Sequence, residues 1–489
     1  MSGRVLGVKQ MRECERAAAD YGLDEDILIE NAAAAIHKRM SEYIRGLRKN
    51  DTIAVFVGGG NNGADGLSLA RRLLIDGINV EVVAVSESFN AACEKRLRAF
   101  SALGGKVISL ARAAARADMY AVAVDAVLGI GLSRDVEGDT KTAVGIMNGC
   151  DAKKIAVDVP TGLGADDGRV YGTAVKADVT VALGAYKYGH FLGSGADYCG
   201  ETVLEQIGIK VECGAVLCSK DTPKPPARKR CSHKGDYGRI KIMGGSPSMI
   251  GAPLIAAEAA LAYGAGLVTL CVANSLADAY RSRIKEATLA LLSDNGGFFT
   301  FDKAALDSLF VGADVLVIGP GMGGNPDAAK IIGYACRNFG GTVILDADAL
   351  NVLAVNPEIT KGHRCRLILT PHRGEFVRLY GKTEESEIVA KSQRAAEESN
   401  AVVVCKSNTT IITDGIATYI NARGTAAQAK GGSGDMLAGI IAAYCACLPA
   451  VQACAAACYA AGDTAVRAAA EIGENALKAS DCIEYAKRT

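Results

Sequence analysis

A glycine-rich loop in the second half of the chain carries the most informative chemistry. It reads Lys430-Gly-Gly-Ser-Gly-Asp-Met-Leu-Ala-Gly439 and continues into an apolar run that ends near Ala443. Glycines let successive backbone N–H groups point at one place, and the positive end of the following helix faces the same place. Asp435 falls in the first helical turn, where a carboxylate can take a proton from a bound hydroxyl. The loop therefore predicts phosphoryl transfer or phosphate-assisted chemistry; an ordinary turn before a core helix is the alternative.

A second glycine-rich loop, 58–66, follows the strand-like run Ile53–Val57. Its glycine spacing is similar to a dinucleotide-binding fingerprint. Asn61, Asn62 and Asp65 nevertheless stand where a pyrophosphate needs bare backbone, so ordinary pyrophosphate binding is not expected. Their oxygens are hard donors, which suit a monovalent or alkaline-earth cation or sugar hydroxyls.

Two further loops in the first half carry single aspartates. Asp125 and Asp158 each end an apolar run, where burial raises the pKa of a carboxyl unless a cation or ligand compensates. Taken alone, such an aspartate is as often a helix cap or a turn former. Polar loops at three neighbouring strand ends favour a common site.

Four loops in the second half follow apolar runs in the same way, at 244–252, 318–323, 345–350 and 369–375. Ligands of α/β sheets bind at the carboxyl ends of the strands. The last loop contains His372, one of only five histidines in the chain. A lone loop histidine is ordinarily structural or simply exposed, so a functional role for His372 is one of two alternatives.

The elements that must position these loops alternate between strand-like runs and helical patterns. This alternation predicts an α/β fold of two three-layer αβα domains, with parallel sheets covered on both faces. The proline- and charge-rich segment 219–230 predicts a linker between domains at 1–218 and 231–489. A helix is expected from about Leu67. The clearest strands are predicted at 53–57, 80–85, 121–124, 155–159 and 179–183, and then at 239–243, 268–271, 315–318, 343–345, 367–369 and 402–405.

Charge and cysteine usage narrow the class of partners. The 54 basic and 54 acidic residues leave no overall field for nucleic acid or an anionic membrane, so we expect neither partner. Sixteen scattered cysteines, in a chain that starts without an apolar signal segment, predict reduced thiols in a cytoplasmic protein. The apolar stretch 440–461 nearly reaches membrane-spanning length, but Pro449 and Gln452 interrupt it, and we expect a buried helical hairpin.

Four motifs give residues 1–215 a resemblance to a known family. Asn61-Asn-Gly-Ala-Asp-Gly66, 125–132, Asp158-Val-Pro-Thr-Gly162 and Gly193-Ser-Gly-Ala-Asp-Tyr198 resemble the NAD(P)H-hydrate epimerase domain. The resemblance implies a Rossmann-like fold, potassium coordination by Asn62, Asp125 and Thr161, and Asp158 as the acid/base candidate. Family members commonly have glycine where Ala64 stands. The implied contacts of the hydrated nicotinamide nucleotide are Asn61, Asn62, Gly63, Ala64, Asp65, Gly129, Ile130, Gly131, Leu132, Ser133, Arg134, Asp135 and Asp158.

The loops of the second half, over about 225–489, resemble the ADP- or ATP-dependent NAD(P)H-hydrate dehydratase, which has a ribokinase-like fold. Two departures concern the nucleotide side: Ser407 replaces a usual glycine, and Gly424–Ala427 replaces a Gly-Asn-Pro-Gly-like turn. The implied hydrate contacts are Ala252, Gly321, His372 and the catalytic Asp435. The implied nucleotide contacts are Lys406, Ser407, Asn408, Thr409, Thr410, Gly431, Gly432, Ser433 and Gly434.

Both resemblances concern the same damaged cofactor, so we expect a bifunctional NAD(P)H-hydrate repair enzyme. The first domain would interconvert the two epimers of the NADH or NADPH hydrate. The second would dehydrate the S epimer with ADP, or alternatively ATP, as co-substrate. The resemblance also implies potassium as a cofactor, and magnesium is expected because phosphoryl transfer generally uses it. We also expect a homo-oligomer.

Three alternatives stay open from the residues alone. A ribokinase-class small-molecule kinase fused to a Rossmann-like binding domain would share Gly434 and Asp435. A binding module without chemistry is disfavoured because Asn62, Asp125 and Asp158 are all present. An NAD-dependent dehydrogenase is disfavoured by the polar side chains of the loop 58–66. The sequence leaves open ADP against ATP, NADH against NADPH hydrate, and whether substrate passes between the two sites.

Overall fold

The structure, a computed structural model, describes residues 3–48, 51–324 and 326–488. The chain divides into two units, Gly3–Ala215 and Val216 to Arg488. The predicted linker, 219–230, lies within the second unit, and the boundary between domains stays a prediction. Each unit is an α/β unit with parallel strands, which confirms the predicted fold class.

The first unit is built on a parallel sheet. Its strands are β1 (Arg4–Leu6), β2 (Thr52–Val57), β3 (Val80–Ala84), β4 (Lys106–Ile108), β5 (Tyr120–Ala126), β6 (Lys153–Val157), β7 (Val179–Leu183), β8 (Tyr186–Lys187) and β9 (Glu201–Glu205). The sheet has the order β4-β3-β2-β5-β6-β7-β9, and its neighbours pair in parallel. Strands β1 and β8 pair with each other in parallel and are not part of this seven-stranded sheet. Parallel strands need crossover connections, which the helices of the unit supply.

The helices of the first unit cover this sheet. They are α1 (Val8–Ala18), α2 (Glu25–Arg45), α3 (Asn61–Ile75), α4 (Ala91–Ala102), α5 (Leu110–Ala114), α6 (Gly138–Gly149) and α7 (Gly195–Tyr198), with short 3₁₀ turns at Ala19–Tyr21, Ala117–Met119 and Tyr188–His190. Strand β2 is buried along its whole length, as a central strand with helices on both faces should be.

The start of α3 corrects one prediction. The helix was expected from about Leu67, but it begins at Asn61, inside the glycine-rich segment. The reason is close packing: a Cβ at Gly63 would lie 2.0 Å from the carbonyl oxygen of Gly58, and one at Gly66 2.5 Å from the Cβ of Ala126. The glycines therefore let the first turns of the helix lie directly on the sheet, and Asn61 and its neighbours project from a helix and not from a loop.

The second unit carries a longer sheet. Its strands are β10 (Ala215–Leu217), β11 (Arg239–Met243), β12 (Leu267–Ala273), β13 (Thr288–Leu292), β14 (Asp294–Asn295), β15 (Phe298–Phe299), β16 (Val315–Ile318), β17 (Thr342–Leu345), β18 (Arg366–Leu369), β19 (Ala401–Cys405), β20 (Thr410–Thr413) and β21 (Thr418–Asn421). The order is β13-β12-β11-β16-β17-β18-β19-β20-β21-β10. From β13 through β19 in this order, neighbouring strands pair in parallel, and β20 and β21 extend the sheet as an antiparallel hairpin. Strands β14 and β15 form an antiparallel pair of their own.

Helices again cover the sheet of the second unit. They are α8 (Gly251–Ala262), α9 (Ala277–Arg281), α10 (Lys303–Phe310), α11 (Pro326–Asn338), α12 (Asp348–Val355), α13 (Arg373–Tyr380), α14 (Ile388–Ser399), α15 (Ser433–Cys445), α16 (Ala450–Ile472) and α17 (Ala479–Ala486). Short 3₁₀ turns lie at Lys234–Tyr237, Asn274–Leu276, Pro357–Thr360, Glu385–Glu387 and Ala426–Gln428.

Helices α15 and α16 confirm the predicted buried hairpin. Pro449 stands at the start of α16, where a proline cannot continue the preceding helix. Gly439 packs against the backbone of α8, since a Cβ there would lie 2.1 Å from the carbonyl oxygen of Ala256. Within the ranges given above, no helix has both the length and the apolar character needed to span a bilayer.

Candidate active sites

A cleft of about 730 Å³ opens in the first unit beside α1, α2, the start of α3 and the loop after β5. Gly63 and Ala64 are buried, so their backbone supports the cleft and does not line it. Ser133, Arg134 and Asp135 are exposed, and the structure does not bring them into the lining. The predicted substrate contacts that do line the cleft are Asn61, Asn62, Asp65, Gly129, Ile130, Gly131, Leu132 and Asp158.

Asp158 follows β6 and is held by an ion pair with a lysine that sequence reasoning missed. Its Oδ1 accepts a hydrogen bond from the backbone N–H of Leu183, at 2.9 Å, and pairs with Nζ of Lys187. The Lys187 side chain is fully buried, and its Nζ also donates to the carbonyl oxygen of Leu183, at 2.9 Å. The available signal was a lysine inside the short strand β8, because a lysine in a strand of the sheet region is buried only when it is paired.

His190 holds the backbone of Asp158. Its Nδ1 accepts the N–H of Lys187 at 3.1 Å, so Nε2 carries the proton and donates to the carbonyl oxygen of Asp158 at 2.8 Å. Burial, together with the positive charge of Lys187, lowers the pKa of His190 to about 4, so the ring is neutral at pH 7. Asp158 has a φ of 64°, a left-handed conformation that non-glycine residues seldom adopt.

Asp125 and Thr161 form a second buried group in the first unit. The Thr161 hydroxyl donates to Asp125 Oδ1 at 2.6 Å, and the Thr161 N–H donates to Oδ2 at 2.7 Å. The Leu128 N–H donates to the same hydroxyl at 2.9 Å. Burial raises the pKa of Asp125 to about 6, although the hydrogen bonds from Thr161 oppose the shift. No cation among the described side chains pairs with this carboxylate.

Asn62 lies beside the loop that follows Asp125. A Cβ at Gly129 would lie 3.3 Å from the Asn62 Oδ1 atom. The Asn62 Nδ2 atom is buried and has no hydrogen-bond partner within the described part of the chain. The Asp125 carboxylate and the Thr161 hydroxyl lie together and are hard oxygen donors of the kind that suits potassium, and Asn62 adjoins the loop at Gly129. The potassium site formed by Asn62, Asp125 and Thr161 stays a prediction.

Helix α1 contributes cleft residues that the sequence did not indicate. Arg12, Glu15 and Arg16 line the cleft from this helix, which no glycine-rich motif precedes and which follows only the three-residue strand β1. Burial raises the pKa of Glu15, and the charge of Asp158 raises it further. The same two causes raise the pKa of Asp65 well above its usual value. The cleft therefore combines several carboxyl groups with cations.

The second site lies at the start of α15. Gly432 precedes this helix with a φ of 93°, a left-handed conformation that glycine adopts without strain. Asp435 lies in the first turn, as predicted. Burial raises the pKa of Asp435 to about 6; the charge of Asp346 adds to the shift and that of Lys406 opposes it. A Cβ at Gly434 would lie 3.5 Å from Lys406 Nζ, so the glycine loop and this lysine meet.

Lys406 is held at the carboxyl ends of three neighbouring strands. Its Nζ pairs with Asp346 Oδ1 at 2.7 Å, and the Thr370 hydroxyl donates to the same oxygen at 2.7 Å. Asp346, Thr370 and Lys406 directly follow β17, β18 and β19. Burial lowers the pKa of Lys406, but the charges of Asp346, Glu375 and Asp435 outweigh it and the pKa is raised.

His372 caps helix α13 and is largely exposed. Its Nδ1 accepts the N–H groups of Gly374, at 2.9 Å, and Glu375, at 3.3 Å, while Glu375 Oε2 accepts the His372 N–H at 2.8 Å. The side chain is 56% exposed. The structure thus gives His372 a capping role, and its backbone forms a bridge with Lys406 beside the site.

The remaining predicted residues of the second unit lie around these groups. A Cβ at Gly321 would lie 3.2 Å from the Cβ of Ala252, so the two predicted hydrate contacts adjoin. Ser407 and Asn408 are exposed after β19, while Thr409 and Thr410 are buried at the start of β20. Gly431 is exposed, and Ser433 begins α15 in a partly buried position.

Comparison with known families finds a match for each half of the chain. A family model described as NAD(P)H-hydrate dehydratase matches residues 240–488, and one described as YjeF-related protein N-terminus matches residues 25–189. Two similar relatives are each named bifunctional NAD(P)H-hydrate repair enzyme Nnr. The Moorella thermoacetica protein is 34% identical over 97% of this chain and 94% of its own length. The Coxiella burnetii protein is 33% identical over 98% and 97%.

A solved structure supports the fold of the second half. A ribokinase-like superfamily protein from Enterococcus faecalis covers 56% of this chain and 94% of its own, with 25% identity and a TM-score of 0.50. The likeness agrees with the ribokinase-like fold that the sequence predicts.

Proposed function

The chain belongs to the family of bifunctional NAD(P)H-hydrate repair enzymes, and we propose how its two sites divide the reaction. It joins an epimerase to a dehydratase that acts on hydrated NADH or NADPH. Addition of water to the reduced nicotinamide ring leaves a ring hydroxyl in two epimeric forms. The cleft of the first unit interconverts these forms, and the site at the start of α15 removes the hydroxyl from the S epimer.

Asp158 is the acid/base group of the epimerase in this proposal. It lines the cleft at a strand end, and the protein holds its carboxylate by direct hydrogen bonds and an ion pair. Potassium, held by Asn62, Asp125 and Thr161, would supply the positive charge that the buried Asp125 carboxylate lacks. The segments that follow β5 and β6 also carry predicted substrate contacts, so a cation bound between them would stabilise their conformation.

Asp435 is the general base of the dehydratase in this proposal. Its carboxylate takes the proton of the ring hydroxyl as that oxygen attacks the terminal phosphorus of the nucleotide. The bond from that phosphorus to the bridging oxygen breaks, and the nucleotide leaves with one phosphate fewer. The phosphorylated ring oxygen then leaves as inorganic phosphate while the adjacent ring carbon loses a proton, which restores the double bond of NAD(P)H.

The glycine loop and Lys406 would bind the transferred phosphoryl group. Backbone N–H groups of 432–434 point from the start of α15, and Lys406 Nζ lies next to Gly434.

We propose ADP as the donor, with ATP as the alternative. The remaining nucleotide contacts are proposed from Ser407 to Thr410. Hydrate contacts are proposed from Ala252, Gly321 and His372.

Magnesium would be held mainly by the nucleotide. In the described ranges, no group of three His, Cys, Asp or Glu side chains gathers as metal ligands do. The Asp346 carboxylate is already bonded to Lys406 and Thr370. Magnesium in such sites usually binds one or two carboxylates together with substrate phosphates, and there it would offset the charge of the phosphates.

The observation that carries this proposal is the environment of Asp435, a carboxyl with a pKa of about 6 in the first turn after the glycine loop. The test uses the full-length protein with both epimers of NADH hydrate, ADP or ATP, and magnesium and potassium salts. We expect the reduced-nicotinamide absorbance to return with one phosphate released for each NADH. A stable phosphorylated product would instead indicate a small-molecule kinase, and oxidised nicotinamide without phosphate release would indicate a dehydrogenase.

Location and assembly are proposed separately. All sixteen cysteines are unpaired, which supports a reducing compartment such as the cytoplasm. A homo-oligomer remains the proposed assembly, and sedimentation measurements would test it.

A further inference from the structure

We propose that Lys187 and His190 are positioning residues of the epimerase site, which hold Asp158 so that its Oδ2 atom is the one offered to the substrate. This inference rests on the proposed function of the first unit. It adds two residues to the site for which neither the sequence nor the family comparison gives a role.

The two oxygens of Asp158 have different surroundings. Oδ1 accepts the Leu183 N–H and pairs with Lys187 Nζ, and Lys187 Nζ also donates to the Leu183 carbonyl oxygen. These three groups form a closed ring that fixes the orientation of the carboxylate. No described donor bonds to Oδ2, and Asp158 lines the cleft with 13% of its side chain exposed. Oδ2 is therefore the oxygen that a ring hydroxyl or a water molecule can reach.

Lys187 also determines the charge of the site. Other carboxyl groups face Asp158 from neighbouring elements, namely Glu15 on α1 and Asp65 on α3. Lys187 is fully buried and is the cation in direct contact with Asp158. The charge of Arg12, on α1, opposes the rise in the pKa of Glu15. A buried charge is unfavourable unless an opposite charge lies in contact with it. Lys187 thus gives Asp158 a direct counter-ion, which it does not give to Glu15 or Asp65.

His190 acts on the backbone of the same residue. It is neutral, and its Nε2–H donates to the Asp158 carbonyl oxygen while its Nδ1 accepts the Lys187 N–H. This bond ties the loop that follows β6 to the turn after β8 and maintains the left-handed backbone of Asp158. The histidine has no remaining nitrogen for a proton transfer, so its role is positioning and not acid/base chemistry.

The test compares full-length wild type with Lys187→Met, Lys187→Arg and His190→Gln. A purified single epimer is incubated without nucleotide, and the other epimer is measured by chromatography across a range of pH. We expect Lys187→Met to lower kcat about 10²-fold with little change in KM, and to move the acid limb of the pH profile to higher pH. Lys187→Arg, which keeps the charge, should recover part of the rate, and His190→Gln should lower kcat without moving the acid limb.

The matched control is Lys153→Met, which removes a 40% exposed lysine from the same unit and should leave kcat unchanged. The double variant Asp158→Asn/Lys187→Met removes both members of the pair, so we expect it to fold even if an unpaired buried carboxylate unfolds the single variant. If Lys187 acts through Asp158, the double variant should be no slower than Asp158→Asn alone. A double variant that is much slower, or a Lys187→Met enzyme with wild-type kcat and pH profile, would overturn the inference. A wild type that fails to interconvert the epimers would instead contradict the proposed function.

Discussion

Each candidate site contains an ion pair between a lysine and an aspartate, but only in the first unit is that aspartate the proposed base. In the first unit, Lys187 pairs directly with the proposed base, Asp158. In the second unit, Lys406 pairs with Asp346, and the proposed base, Asp435, is left with a pKa of about 6. The comparison shows that the presence of a lysine near a proposed base is not enough to describe a site. In the first unit the lysine contacts the proposed base itself, and in the second it contacts a different carboxylate, Asp346.

This difference suits the two reactions that we propose. A base with a pKa close to the working pH combines a useful ionised fraction with a strong pull on the proton, which favours abstraction from a hydroxyl. Asp435 meets that condition. The reaction proposed for the first unit transfers no phosphoryl group, and there the lysine holds the carboxylate of Asp158 in one orientation. Three predictions separate these two arrangements.

The largest expected effect is that of Asp435→Asn. The amide keeps the size of the side chain but cannot accept the proton, so nucleotide-dependent dehydration should fall about 10²- to 10⁴-fold while epimerisation persists. Release of phosphate from ADP in the presence of the S epimer measures the first activity, and chromatography of the epimers measures the second. Asp278→Asn, at a 94% exposed position of the same unit, is the matched control and should retain both. Full dehydration by a folded Asp435→Asn enzyme would exclude Asp435 from the chemistry.

The second prediction concerns pH. Asp435 acts as a base only when ionised, and burial raises its pKa to about 6, so the dehydration rate should fall about tenfold for each pH unit below that value. Epimerisation does not use Asp435 in the proposed function, so its rate should not follow this profile. Both rates can be measured in one buffer series with wild-type protein. Parallel decline of the two activities would show that the sites do not differ in the way described.

The smallest expected effect is that of potassium. Replacing it by a bulky organic cation should slow epimerisation several-fold and lower the melting temperature of the first unit, because the buried Asp125 carboxylate loses its counter-ion. Asp125→Ala should make both quantities insensitive to the exchange. The melting curve supplies a readout that does not depend on activity. A response of equal size in wild type and in Asp125→Ala would place the ion elsewhere.

The parts of the fold that were predictable are those with local signals. Apolar runs identified the central strands, and the glycine loop placed Asp435 in the first turn of α15. The helical hairpin followed from its alanine-rich sequence and Pro449. The predicted start of α3 was wrong. Two asparagines and two glycines in its first turns have low helix propensity, but the close packing of the glycines on the sheet outweighs that propensity.

The parts that were missed depend on contacts between distant residues. The hairpin β20–β21 was not predicted, because the predicted strand series ends at 402–405, although Asp414-Gly415 between the two strands is a turn signal. Lys187 and His190 reach Asp158 from 29 and 32 residues away, and no spacing rule connects them. The roles assigned to the site residues stay predictions, because a side chain's position shows what it can reach and not what it does.

The ion pair between Asp158 and Lys187 has a consequence for how the first unit is assembled during synthesis. Asp158 leaves the ribosome 29 residues before Lys187, so for a time the emerging chain carries the aspartate without the lysine that pairs with it. Packing of β6 at that stage would enclose an unpaired negative charge, which is unfavourable. The strand is therefore expected to wait for the segment through His190, so that the epimerase cleft and the last part of its sheet mature together in one late cooperative step.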